Sequence, residues 1–335
     1  MKNAAALLFA SAAWLGASPT LAAAPEVVVS IKPIHSLVAS IMKGVGEPTL
    51  IVQGAASPHT FTMKPSNARA LEGADMVFWV GPGMEAFLDK PLDALASEAT
   101  VVKLEDAPDL EKLPFREGGP FEAHDHGDDD HGHDHAGHDD DGDKDDHAAA
   151  PEGHDDHHHH HGAFDTHLWL DPMNAKAIAT AIEEALVAKD PENAALYRAN
   201  AAELSRKIDE MDKEIEEILA PVTKKPFVVF HDAYQYFEHR YGVTVAGSIT
   251  VSPETMPGAE RVKEIHQKVT ELGATCVFAE PQFEPKLVSV VTEGTSAKSA
   301  TLDPEAATLT EGPELYFELM RGMATSMKTC LSQEG

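Results

Sequence analysis

Short apolar runs that do not alternate with polar residues recur along this chain, and that feature narrows its fold more than any other. They are Val27–Ile31, Thr49–Gln53, Met76–Gly81, Val101–Leu104, His167–Leu170, Phe227–Phe230, Val243–Ile249 and Cys276–Ala279. A strand with one wet face alternates, whereas a strand covered on both faces reads as a continuous apolar run. The runs therefore predict parallel sheets clad in helices. Helical patterns lie between most of them. One starts near Ser66, taken as its cap, and carries Ala68, Leu71 and Ala74. Another starts at Asp171-Pro172, a capping side chain followed by the one residue that tolerates the first helical position, and buries Ile178, Ala181, Ile182, Ala185 and Leu186. Strands alternating with helices make the chain α/β.

Residues 191–220 differ. Asp190-Pro191 is a second cap-plus-proline start, and Tyr197, Ala201, Leu204, Ile208, Met211, Ile215 and Ile218 follow at steps of four and three. Without Gly or Pro to interrupt it, the stripe predicts one helix about 45 Å long. Such a helix reads as a rigid strut between two lobes, and a coiled-coil dimerisation helix is the other reading of so narrow a stripe. A chain of 335 residues has room for two cores. The expected organisation is a leader at 1–23, a lobe at 24–190, the linking helix at 191–220 and a second lobe at 221–335.

The formal net charge of −30 excludes nucleic acid as a partner and favours cations. Half of that excess sits in residues 117–162, which hold sixteen acidic residues and one Lys. Residues 117–163 are His, Asp, Gly and Ala without apolar periodicity, and are expected not to fold by themselves. Thirteen of the nineteen histidines lie there, between His124 and His161. Imidazoles flanked by carboxylates attract Zn²⁺, Cu²⁺ and Ni²⁺. His154, His157, His158, His159, His160 and His161 are the candidate accessory ligands. A solvated linker or a pH-responsive tether are the blander readings of the same composition.

Lys2, the apolar run Ala4–Gly16 and the small residues up to Ala24 read as a cleavable export signal, cut at Ala22 or Ala23. The run falls short of the roughly 20 residues that span a bilayer. Export makes Cys276 and Cys330, the chain's two cysteines, a candidate disulfide that would pin the last helix to a strand, with two buried thiols as the alternative.

Outside the tract, His59, His167 and His231 stand out. His59 and His231 follow predicted strands, where open α/β sheets bind ligands. His167 follows the tract directly. His35, His239 and His266 read as structural or solvent-facing. Asp232 and Glu280 are candidates to receive a ligand histidine's second N–H, or else to cap turns. No H-E-x-x-H is present, so a zinc hydrolase lacks its usual helix-borne site, and the chain is not read as an enzyme.

Ser30-Ile-Lys-Pro33, Pro58-His59, Pro65-Ser66, His167-Leu-Trp-Leu-Asp-Pro172, Phe230-His-Asp-Ala-Tyr234, Val277-Phe-Ala-Glu-Pro-Gln282 and Leu302-Asp303-Pro304 occur in this order. Together with the acidic His-rich insertion, they make the chain closely resemble the zinc-binding substrate proteins of high-affinity bacterial zinc ABC importers. The resemblance implies two α/β lobes with mainly parallel sheets, joined by one long rigid helix, with the metal in the cleft between them. It places three metal-binding histidines on His59, His167 and His231, and puts Asp303 on the aspartate that can complete the site. Some zinc members carry a glutamate just before the first histidine. Pro58 stands there in this chain, which leaves Asp303 or a water as the fourth ligand. Manganese relatives typically have a glutamate where His231 stands, so the imidazole favours Zn²⁺. The resemblance further implies a periplasmic monomer that captures Zn²⁺ for an inner-membrane permease and its ATPase, with periplasmic zinc chaperones as further partners.

Overall fold

The computed structural model describes residues 24–116, 164–250, 257–272, 276–283 and 286–332. The leader and the His-rich tract, with candidate ligands His154 and His157 to His161, lie outside the described residues.

The first sheet is built from β1 (Val27–Val29), β2 (Thr49–Leu50), β3 (Met76–Trp79) and β4 (Thr100–Lys103), in the order β2-β1-β3-β4. The second is built from β5 (Pro226–His231), β6 (Thr244–Thr250), β7 (Cys276–Ala279) and β8 (Lys298–Thr301), in the order β6-β5-β7-β8. Every ladder in both is parallel. Each sheet thus starts at an inner strand, adds one neighbour on one side and then two on the other. The crossovers are helical: α1 (Lys32–Ile41), α2 (Pro65–Glu72) and α3 (Asp89–Leu95) serve the first sheet. After α4 (Pro172–Lys189) and α5 (Ala194–Leu219) come α6 (Gln235–Tyr241), α7 (Ala259–Leu272), α8 (Lys286–Thr292) and the closing α9 (Leu315–Ser332). The result is two parallel-sheet α/β lobes and one long helix.

The non-alternating runs are buried as expected: β1 and β3 are buried at every position. In the second sheet the two faces bury different clusters. Phe227, Val229 and Phe278 belong to a large core that also takes in the first sheet, α1, α4, α5 and α9. Val228, Phe230 and Val277 face a smaller cluster with Ile265, Val269, Val288 and Val291. One continuous apolar core therefore crosses from one lobe to the other.

The helix α5 has 26 residues, about 39 Å at 1.5 Å each. It begins three residues after Pro191, because Pro191–Asn193 forms a 3-10 turn first. Its buried stripe includes Tyr197, Ala201, Leu204, Ile208, Met211 and Ile215, and it packs on α1, α4 and α9 of its own chain. The dimerisation reading loses its seam, since that apolar face is already occupied. Cys276 on β7 is bonded to Cys330 on α9, with their Cα atoms 6.1 Å apart. Among the described residues no helix is long and apolar enough to cross a membrane.

Three expectations need correction. His167–Leu170 is not a strand: Leu168–Leu170 is a 3-10 turn. The Asp165 side chain accepts from the His167 N–H at 3.0 Å and bends the chain, and α4 begins at Pro172, which leaves no length for a strand. Strand β8, Lys-Ser-Ala-Thr, was not expected, because an edge strand with a half-wet face carries no apolar run. Helix α2 starts at Pro65, so Ser66 lies inside it. The Asn67 side chain instead caps it, accepting from the Lys64 N–H at 2.9 Å.

Candidate metal centre

The carboxyl ends of both sheets face the same place. His231 is the last residue of β5, and Glu280 follows the last residue of β7. Because β5 sends one crossover to β6 and its other neighbour is β7, this pair straddles the point where the winding of the sheet reverses, where side loops part and leave a crevice. His59 comes from the 3-10 turn Pro58–Thr60 beyond β2. His167 sits on the bend before the Leu168–Leu170 turn. Their positions converge: His59, His167 and His231 form the one group among the described residues able to hold a metal ion.

The nitrogens are spaced for such an ion. His59 Nε2 lies 3.3 Å from His167 Nε2, and His167 Nε2 lies 3.4 Å from His231 Nε2. Four donors at about 2.0–2.1 Å from a zinc ion define a tetrahedron with edges of about 3.3–3.4 Å. Two edges of that tetrahedron are therefore already present. His167 and His231 are buried, and His59 keeps 11 % of its side chain exposed, so it forms the rim.

Each inner histidine is oriented from behind by a carboxylate. His167 Nδ1 lies 2.7 Å from Asp165 Oδ1, and His231 Nδ1 lies 2.7 Å from both oxygens of Glu280. A donor Nδ1–H leaves Nε2 as the lone-pair nitrogen, which is the tautomer a metal needs. Of the two sequence candidates for this role, Glu280 performs it. Asp232 instead pairs with Arg116, whose guanidinium also reaches Glu238 at 2.7 Å. Asp165 was missed, although it stands two residues before His167, because a short Asp-x-His spacing carries no special signature.

Burial pushes the His59 and His167 imidazoles well below their ordinary 6.5, and neighbouring histidines add to the effect. Burial also acts to lower His231, but Glu280 outweighs it and raises the group to about 9. Glu305 is raised to about 8, chiefly by burial, with the nearby Glu280 and Asp303 adding to it.

Glu305 was not foreseen. Its carboxylate Oε1 lies 3.5 Å from His59 Nε2 and makes no hydrogen bond, while Oε2 accepts from Gln282 Nε2 at 3.3 Å. Asp303, one of the two fourth ligands expected, the other being a water, closes a turn. Its oxygens accept from the Ala307 N–H at 2.8 Å, the Thr308 N–H at 3.0 Å and the Thr308 hydroxyl at 2.9 Å. Two residues further on, Glu305 is the carboxylate that reaches His59. The remaining histidines lie elsewhere: His35 meets the Pro48 carbonyl, His239 is exposed beside Glu111, and His266 meets the Val291 carbonyl.

Comparison with known proteins places this geometry in context. Residues 27–330 match the family model described as "Zinc-uptake complex component A periplasmic". The "High-affinity zinc uptake system protein ZnuA" of Brucella suis biovar 1 (strain 1330) is 58 % identical, over 99 % of this chain and 100 % of its own. The protein of the same description from Paracoccus denitrificans (strain Pd 1222) is 39 % identical, over 98 % of both chains. Among solved structures, the "periplasmic zinc binding protein TroA from Treponema pallidum" superposes with a TM-score of 0.73 at 18 % identity, covering 92 % of this chain and all of that one.

Proposed function

Because the chain belongs to the family of periplasmic zinc-uptake complex components A, we propose that it captures Zn²⁺ at His59, His167 and His231 and hands it to a membrane importer. The observation that carries this reading is the spacing of the three Nε2 atoms, at 3.3 and 3.4 Å along the edges of a zinc tetrahedron. Glu305 is the fourth donor. Its unbonded oxygen stands 3.5 Å from His59 Nε2, one more edge of nearly the same length. Three nitrogens and one oxygen suit zinc over manganese, which prefers an oxygen-rich shell.

Transport, rather than hydrolysis, fits the carboxylates nearby. Asp165 is engaged by His167, Glu280 by His231 and Asp232 by Arg116, so each holds a neighbour in place instead of standing ready to take a proton from water. The partners that follow from a zinc-uptake complex are an ABC permease and its ATPase. The leader at 1–23 would deliver the chain to the periplasm, where the lobes 24–190 and 221–335, with the strut between them, would present the ion. The tract at 117–163, His154 and His157 to His161 included, would raise the local zinc concentration, an idea resting on its composition and on where it joins the fold.

The test is zinc titration against a competing chelator. The mature protein and a form lacking residues 122–161 are each expected to keep one tight site. The triple change His59→Ala, His167→Ala, His231→Ala is expected to abolish it in both, and Glu305→Gln to weaken it at least tenfold. Tight binding that survives the triple change would place the site elsewhere. Tight binding that disappears with the tract alone would make the protein a zinc buffer rather than a delivery component.

A further inference from the structure

Lys32 is a buried cation with an unusual set of partners. Its ammonium donates to the carbonyls of Ala306, Ala307 and Leu309, at 3.2, 3.1 and 2.8 Å. The only carboxylate paired with it among the described residues is Glu311, at 4.0 Å and half out in solvent. An ammonium has three hydrogens, and here all three are matched by main-chain oxygens. Taking a charge out of water to reach neutral acceptors is expensive, and an apolar side chain at the start of α1 would avoid that expense. The placement therefore does something that packing would not.

What it fixes is a loop from the other end of the sequence. Lys32 lies on α1, beside the first sheet, whereas the three carbonyls belong to residues more than 270 positions later. Three acceptors around one ammonium set both the position and the tilt of the segment 306–309, and Glu305 is the residue just before it. The segment is bent to reach them: Ala306 has φ +57°, a left-handed conformation that costs a side-chain-bearing residue about 1–2 kcal/mol. Two further bonds complete the cradle. Trp169 Nε1–H, two residues from His167, donates to the Pro304 carbonyl at 2.9 Å, and Asp303 closes the turn from within. The loop that carries Glu305 is thus a part of the second half by sequence, but it is bonded to the half that supplies His59 and His167. Lys32 and Glu305 also line one small pocket together, with Pro58 beside His59 in its wall.

We infer that Lys32 is a positioning residue for the metal centre: by holding the carbonyls of residues 306, 307 and 309 it keeps the Glu305 carboxylate beside His59, from where it serves as the fourth donor. This rests on the reading of the three histidines and Glu305 as the zinc site. Removing the clamp leaves the three imidazoles in place and lets the fourth donor drift, which opens the shell on one side. The consequence falls on the dissociation of zinc more than on its arrival, because the imidazoles alone still make the first capture.

The experiment compares Lys32→Met, Glu305→Gln and the double change in the full-length mature protein. Zinc dissociation into an excess of fast chelator is followed by stopped flow, and the visible spectrum of the Co²⁺ form reports coordination number. Lys32→Met is expected to speed dissociation by about 10–100-fold, the range for losing a residue that orients a metal ligand. It is also expected to weaken the intense bands of four-coordinate Co²⁺. In the Glu305→Gln background the same change is expected to add less than about threefold, because two residues acting through one interaction are not additive. Equal effects in both backgrounds would show that Lys32 supports the fold in general and overturn the inference, as would a Lys32→Met protein with the parent's rate and spectrum. Should Lys32→Met fail to fold, Lys32→Arg, which keeps donors but misplaces them, is measured in the same two backgrounds against the same criteria. The triple histidine change separates the two ideas: if it leaves tight binding intact, the site reading fails, whereas tight binding lost there but indifferent to Lys32 sinks only the clamp.

Discussion

An imidazole can take a metal only while its lone pair is free, and the three at this centre are prepared for that by different means. His59 and His167 are kept neutral by burial, so between their lowered values and 6.5 the unfolded chain binds more protons than the folded one. Their contribution to stability is therefore present above 6.5 and is lost as the pH falls. His231 has the opposite sign: Glu280 raises it to about 9, so its contribution is complete below 6.5 and fades as the pH rises through 9. Two outcomes follow for the metal-free protein. Its melting temperature is expected to drop on going from pH 7 to pH 5, and His59→Ala to flatten that drop; an unchanged slope would mean His59 already carries a proton in the fold. The three histidines that come together here stood out in the sequence beside predicted strand ends or the tract, but it was the family resemblance, not position, that singled them out as a set. Their supporting carboxylates were only half legible. Glu280 could be named, but Asp165 and Glu305 could not: the sequence reading left only Asp303 or a water as the fourth ligand, and what brings Glu305 beside His59 is a turn whose handedness at Ala306 no local pattern announces.

Among the elements, β7 and α9 show how a short strand is held. The strand has four residues. It lies between β5 and β8, and Cys276 at its start is tied to Cys330 on α9. A link between residues 54 apart removes unfolded-chain entropy worth about 4 kcal/mol in the loop-closure model. Changing both cysteines to alanine is expected to lower unfolding stability in denaturant by about 2–4 kcal/mol while changing zinc affinity less than about threefold, because β7 reaches the centre only through Glu280 at its far end. A large loss of affinity would show that the bond sets the position of Glu280. The buried strands were readable as apolar runs, whereas β8 was not, because its side chains alternate between half-buried and exposed. The error at His167–Leu170 came from a run of the right composition whose backbone is turned by one aspartate.

For the whole molecule, the long helix was expected to act as a strut between two separate lobes; its presence and most of its stripe were read from the spacing, although α5 starts three residues later and is shorter than expected. Less visible in the sequence was that the helix does not stand in a gap. Its apolar face is covered by α1, α4 and α9, and one apolar core passes through it from the first sheet to the second. Lobes that share a core cannot swing apart without exposing it, so zinc capture is expected to involve little closure. Small-angle scattering of the metal-free and zinc-loaded protein checks this: no resolvable change in radius of gyration is expected, and a clear contraction would show that the shared core slides or opens.

A last consequence comes from where the His-rich tract joins the fold. Pro114 and Phe164 pair as an antiparallel bridge, and the Asp165 N–H donates to the Leu113 carbonyl at 2.9 Å, so the chain on either side of that insertion meets two residues from His167. A port whose lips are fastened together does not register how much chain is threaded out between them. The expense of closing such a loop grows only with the logarithm of its length, about 0.6 kcal/mol for each doubling. Histidines added to or removed from the insertion are accordingly expected to leave the geometry of the centre as it is, and a tag or fluorophore joined there is expected to be tolerated in the same way.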